Sequence, residues 1–352
     1  MQNQGTLEIN NLSLDSMERV FSVSGIERYR AAQVFRWLHR FAVGNFTEMM
    51  NIPGSLQNYL ASRFYISRLM PMAERTSTDG TVKYLFGLYD GQTVETVMIP
   101  EEDRITVCVS TQVGCAMGCS FCATGRAGFA RNLSSGETAR QVEFVNRNKA
   151  QVTNVVFMGM GEPLLNYTAV SEAIGLLNCK EGIGLGLRRF TISTCGIVPR
   201  IYQLADEQDQ VGLAVSLHAA VDEKRRQIMP IAAKYSLEEL MAACRYYSSK
   251  TRRRITFEYV LIAGFNDGLG DAVALAKLLS GLTCHVNLIP INPVGEYYQR
   301  PSPKVVERFA RHLNMNHIPT SVRRERGVDI EAACGQLRQV VREVVHEDIR
   351  SD

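Results

Sequence analysis

Apolar residues recur at helical spacing through "SMERVFSVSGIERYRAAQVFRWLHRF", with Gly25 as a break, and this pattern predicts two helices. A third is predicted in "MNIPGSLQNYLASRF", started by a Pro-Gly turn. From Thr81 the period changes to two. "TVKYLFGLYDGQTVETVMIP" predicts a β-hairpin about Asp90-Gly91, a dipeptide suited to a two-residue turn with positive φ, and Glu95 falls on its second strand. From Arg104 onwards strands and helices alternate. Short β-rich runs cover Ile105–Ser110, Val152–Gly159, Arg189–Cys195, Val211–His218, Arg254–Ile262, His285–Ile291 and Thr320–Glu325, with helical patterns such as "SSGETARQVEFVNRNK", "SLEELMAACRYYSSK" and "SPKVVERFARHLN" between them. Such repetition specifies an α/β fold with a parallel sheet, doubly wound or curled into a barrel, whose site lies at the carboxyl ends of the strands. The unusual polar motifs fall there: a cysteine triplet, "GMGEP", Ser193 to Gly196, "SLH" and "INP".

Composition adds little to that fold but narrows the chemistry. The 352 residues, 45% hydrophobic and 21% charged, suffice for one large domain plus a small one. No run of eighteen apolar residues and no leader pattern is present, so a cytoplasmic protein without a membrane span is expected. Nine cysteines, an odd number, do not read as a secreted disulfide framework. Reduced thiols, metal ligands or redox chemistry fit better. A formal charge of +3 hints only faintly at a polyanionic partner, while "KTRRR", Arg188-Arg189 and "RRER" form local basic clusters. Trp37, flanked by Arg30, Arg36, His39 and Arg40, reads either as a nucleic-acid grip or as a core tryptophan with a solvated polar face.

The triplet Cys115, Cys119 and Cys122 is spaced C-x3-C-x2-C and has no fourth ligand nearby. Three thiolates can hold three irons of a 4Fe-4S cluster and leave the fourth open, or bind zinc with a distant fourth ligand. Glycines after a strand, as in "GMGEP", allow close approach of a ligand to backbone.

"CAMGCSFC" resembles the cluster motif of the radical S-adenosylmethionine superfamily. "CVSTQVGCAMGCSFCATGRAGFARNL", "VFMGMGEPLLNY", "SLHAAVDEKRRQIMP", "FEYVLIAGFND" and "VDIEAACGQL" together resemble the RlmN/Cfr family of RNA adenine methyltransferases, from about Gly25 to Leu337. The resemblance implies a partial (β/α)6 TIM-like barrel over residues 101–345, a helical RNA-binding domain over 1–75, a connecting β-hairpin over 76–100 and a tail at 346–352. It implies a 4Fe-4S cluster on Cys115, Cys119 and Cys122, two molecules of S-adenosylmethionine per turnover, and cofactor contacts from Gly161, Glu162, Ser193, Ser216, Leu217, His218 and Asn292.

By the same resemblance, Cys334 becomes an S-methylcysteine whose methylene adds to carbon 2 of adenine. Glu95 is the proton acceptor, and Cys108 resolves the covalent protein-RNA adduct by a transient disulfide with Cys334. The implied partners are 23S rRNA at the peptidyl-transferase centre, transfer RNA beside the anticodon, and an electron donor such as flavodoxin or ferredoxin, with the chain acting as a monomer. Alternatives are methylation at carbon 8, a non-catalytic zinc and RNA-binding protein, and a radical enzyme with a small-molecule or protein substrate. Cys179, Cys195, Cys244 and Cys284 match no catalytic position and read as core residues. Ala232, Cys195 and Val328 depart from residues frequent in the family.

Overall fold

The computed structural model describes residues 7–208, 210–292, 298–324, 326–332 and 335–337. The chain starts with β1 (Leu7–Glu8), then α1 (Leu14–Val23), α2 (Arg28–His39) and α3 (Gly54–Arg63), and β2 (Phe64–Tyr65) pairs in parallel with β1. Ser13 caps α1 by accepting the Ser16 N–H, and Gly25, at φ +69°, separates α1 from α2. The apolar stripes meet, burying Met17, Phe21, Val34, Phe35 and Leu38.

β3 (Met70–Thr76) corrects the helical expectation for residues up to 75. It is an edge strand paired antiparallel with β4 (Val82–Gly87). Most of its side chains are exposed, so backbone pairing holds it and it leaves little hydrophobic pattern to read. β5 (Thr93–Glu101) completes the expected hairpin, though the strands are joined through residues 88–92 rather than a two-residue turn, with positive φ at Gly91 and not at Asp90, and β6 (Arg104–Cys108) pairs antiparallel with it. The hairpin is therefore no separate linker: it continues the main sheet.

The chain then runs through β7 (Gln112–Gly114), α4 (Ala123–Arg126), β8 (Phe129–Asn132), α5 (Ser135–Asn148), β9 (Asn154–Phe157), α6 (Tyr167–Asn178), β10 (Phe190–Thr194), α7 (Val198–Glu207), β11 (Gly212–Ser216), α8 (Asp222–Ile228), α9 (Leu237–Thr251), β12 (Ile255–Leu261), α10 (Leu269–Leu279), β13 (Cys284–Pro290), α11 (Pro303–Met315) and β14 (Thr320–Val322). The ten-stranded sheet has the order β14-β13-β12-β11-β10-β9-β6-β5-β4-β3. From β6 to β14 all pairings are parallel, giving six strand-helix units and one closing strand. Helices α5 and α9 each open with a capping box, Ser134 with Glu137 and Ser236 with Glu239.

The N-terminal helices dock on α5 and α6. His39 and Glu143, each 1% exposed, meet at 2.7 Å, Arg140 donates to the Val43 carbonyl, and Arg36 pairs with Glu181. Trp37 Nε1–H donates to Asn51. Two of the polar residues beside Trp37 thus serve the domain contact. The basic runs Arg188-Arg189 and Arg252–Arg254 precede β10 and β12, at the amino ends of the strands. They lie opposite the end where the functional motifs gather.

Candidate active site

Gly114 (φ +76°) and Gly118 (φ +63°) turn the chain between β7 and α4. The Cys115 N–H donates to the Gly128 carbonyl at 2.8 Å, and a Cβ on Gly125 would lie 3.0 Å from the Cys119 nitrogen. This packing directs Cys115, Cys119 and Cys122 into one cavity of about 170 Å³. Burial, with the neighbouring thiols, pushes Cys115 up to about 11 and Cys119 higher still. A cationic centre must displace their protons on binding. Among the described residues no three His, Cys, Asp or Glu side chains are gathered closely enough to share one metal ion. An iron-sulfur cluster takes one thiolate on each of several irons, and the three thiols that face this cavity fit that demand.

The strand ends supply the other walls. Gly159 and Gly161 are required by close packing: a Cβ would stand 2.7 Å from the Val109 backbone at the first and 2.6 Å from Gln112 Cβ at the second, where φ is +104°. Glu162 is buried, and this raises its pKa; its oxygens accept the Leu164 N–H at 3.0 Å and the Cys195 N–H at 2.7 Å. Arg225, fully buried in α8, braces the loops from behind by donating to the carbonyls of Cys195 and Leu217. His218 is held at φ +60°, and its Nδ1 accepts the Val260 N–H at 3.0 Å. Burial drives its pKa down to about 3, so the imidazole is neutral with its proton on Nε2.

Gly161, Glu162, Ser193, Ser216, His218 and Asn292 all line this cavity with the three cysteines. Leu217 does not: its side chain is in the core, and its carbonyl binds Arg225. Cys195, read from sequence as a core residue, also lines the cavity, with a thiol pushed well up by burial. Glu258 and Arg323 are further wall residues that sequence reasoning missed. Cross-strand register aligns Ser216 of β11, Glu258 of β12 and Asn287 of β13, and Asn287 donates to Glu258 at 2.8 Å. The signal for Glu258 was a charged residue inside the apolar run "FEYVLI".

Glu95 and Cys108 are not among the residues that line the cavity; they stand on β5 and β6. Cys108 is opposite Val97 in the β5–β6 ladder, and Glu95 is two residues from Val97, so both side chains share one sheet face as diagonal neighbours. Lys83 of β4 is opposite Val97 on the other side and belongs to that face; its Nζ lies 3.5 Å from Glu95 Oε1. Glu95, Cys108 and Lys83 are all buried. Across β6, Cys108 is in register with Val156, two residues before Met158 of the cavity wall. Cys334 lies outside the described residues, but Gly335 lines the cavity, and its carbonyl accepts the Ala123 N–H at 2.7 Å.

Residues 109–276 match the Radical SAM superfamily, and residues 7–66 match the ribosomal RNA large subunit methyltransferase N-terminal domain. The chain is 48% identical over 351 residues to the "Probable dual-specificity RNA methyltransferase RlmN" of Desulfitobacterium hafniense, covering 96% of this chain and 98% of that one. The protein of the same description from Clostridioides difficile is 46% identical over 334 residues, covering 94% and 97%. A crystal structure of a radical SAM methyltransferase from Sphaerobacter thermophilus superposes with a TM-score of 0.91 at 48% identity, covering 94% of this chain and 99% of that one.

Proposed function

Since the chain belongs to the RlmN family of radical S-adenosylmethionine RNA methyltransferases, we propose that it methylates carbon 2 of an adenine at the peptidyl-transferase centre of 23S rRNA and of the adenosine 3′ of a tRNA anticodon. When bound, a 4Fe-4S cluster and S-adenosylmethionine supply a methyl group and, from a second S-adenosylmethionine and one electron from flavodoxin or ferredoxin, a radical able to take hydrogen from that methyl. Cys115, Cys119 and Cys122 hold the cluster. Glu162 binds the cofactor's ammonium through lone pairs left after its two backbone contacts, and the Nε2–H of neutral His218 is a donor into the cavity. Backbone at Gly161 and side chains of Ser193, Ser216 and Asn292 complete that pocket.

Carbon 2 of adenine is electron-poor and makes a weak nucleophile, so the methyl reaches it by way of the protein. Cys334 accepts it as S-methylcysteine, and the methylene formed there adds to the base. Glu95 takes the proton from the ring carbon. The adduct gives back the one electron that began the sequence, the Cys108 thiolate attacks the sulfur of Cys334, the sulfur–carbon bond breaks as a disulfide forms, and the released carbon takes up a proton to leave as the methyl of the RNA. Reduction of the disulfide resets the enzyme.

The observation that supports this reading is the ladder register that sets Glu95 and Cys108 on one buried face. The test is mass spectrometry of nucleosides after incubation with 23S rRNA fragments and tRNA lacking the mark. 2-Methyladenosine in both is expected; 8-methyladenosine as the sole product sinks the assignment. Cys108→Ala is expected to accumulate a nuclease-sensitive RNA-protein adduct, and Cys334→Ala to form neither adduct nor product.

A further inference from the structure

The short segment before Cys334 is gripped from two levels of the antiparallel extension. The turn between β3 and β4 makes a reciprocal clasp with it: the Ser77 hydroxyl donates to Asp329 Oδ1 at 2.5 Å, the Thr78 N–H to Asp329 Oδ2 at 3.1 Å, and the Gly327 N–H to Asp79 Oδ2 at 3.1 Å. Burial opposes ionisation of Asp79, yet hydrogen bonds from Thr81 and Gly327 bring it down to about 2, so the clasp is charge-assisted at neutral pH. Gly327 fits tightly, since a Cβ there would stand 3.0 Å from the Thr81 methyl and 2.8 Å from Ala332 Cβ.

The second level is Lys83. Its ammonium, in a side chain 4% exposed, donates to the Glu331 carbonyl at 3.0 Å and lies 3.5 Å from Glu95 Oε1. A buried ammonium without partners is strongly disfavoured, so lifting Glu331 away leaves the charge with fewer acceptors. Seating of the segment and pairing of Glu95 are therefore linked through one cation. Glu331 precedes Cys334 by three positions. We infer that Lys83 is a positioning residue, which holds the carboxylate of Glu95 and the segment of residues 327–332 in one arrangement, with the Ser77–Asp79 clasp as its outer support. This rests on the proposed roles of Glu95 and Cys334; the clasp itself does not.

The test uses the full chain with its cluster reconstituted, as wild type, Lys83→Met, Lys83→Arg and Asp329→Asn. Hydrogen exchange is followed at the amides of residues 327–332, and kcat and KM are measured on an RNA fragment bearing the unmodified adenine. Lys83→Met is expected to speed that exchange at least about tenfold and to lower kcat about tenfold, with KM for RNA within about twofold, because a misplaced group slows chemistry more than it weakens binding of a large substrate. Lys83→Arg, which keeps a cation and its donors, is expected to recover most of kcat. Asp329→Asn, on the exposed lip, is expected to speed exchange while β4 and β5 stay protected, and it keeps the clasp testable if Lys83→Met misfolds. Unchanged exchange in the variants overturns the clasp, and faster exchange with unchanged kcat overturns the positioning role. If the wild type itself transfers no methyl through Cys334, the functional reading fails, and the exchange data still decide the clasp.

Discussion

The loop bearing Cys115, Cys119 and Cys122 and the sheet face bearing Lys83, Glu95 and Cys108 are built by different means. The loop is irregular: positive-φ glycines turn it, and backbone contacts at Gly125 and Gly128 set its shape. Its three cysteines fall within eight residues of sequence. The sheet face is regular, and its groups come from three strands brought together by register. A loop site is thus specified by local residue identity, whereas a ladder site is specified by alternation, where a shift of one residue sends the group to the other face.

That contrast can be broken at either end. The largest effect is expected from Cys119→Ala, which removes a proposed cluster ligand from the loop: iron content and methylation should both fall to background, read by iron analysis and nucleoside mass spectrometry. Next comes an exchange of neighbours on β6, Val107→Cys with Cys108→Val. Both positions are buried, and the thiol moves to the opposite face. Product release should be abolished, while thermal unfolding shifts by only about 1–2 kcal/mol. Retained turnover in that double variant would undo the assignment of the face.

Gly161→Ala should cost about 2–4 kcal/mol, from a positive φ and a methyl driven against Gln112, measured by denaturant unfolding of the apo-protein. The smallest effect concerns His218. Its folded pKa, about 3, lies below the ordinary 6.5, so between these values the unfolded chain binds the extra proton and stability falls as pH falls. Wild type compared with His218→Gln should show a slope of up to about 1.4 kcal/mol per pH unit below pH 6, absent above pH 7.5. No difference in slope would mean that the imidazole is hydrated in the folded state.

The strand-helix alternation was legible because each buried strand is a short apolar run and each helix carries an apolar stripe; the expected strands from Ile105 to Thr320 all formed, with ends trimmed by a few residues. β3 was not legible, since its exposed side chains carry no periodic signal. The cysteine triplet and "GMGEP" were legible because close packing and ligand chemistry restrict the residue types allowed there. Cys195 and Glu258 were not: a buried cysteine reads as core, and a glutamate within an apolar strand gains meaning only beside Asn287 and Ser216. His39 near Trp37 read as one residue of a polar face, and the fold turned it inward onto Glu143.

The sequence by itself determined the element types, the grouping of the loop cysteines and the family resemblance, because these depend on residues close together along the chain. Only the tertiary structure decided which face of β5 and β6 carries Glu95 and Cys108, that Lys83 joins them, and that residues 327–331 seat against a turn some 250 positions earlier. The physical reason is that strand register and the partners of a buried charge are properties of the assembled sheet, set by pairing and packing between segments that no local pattern connects.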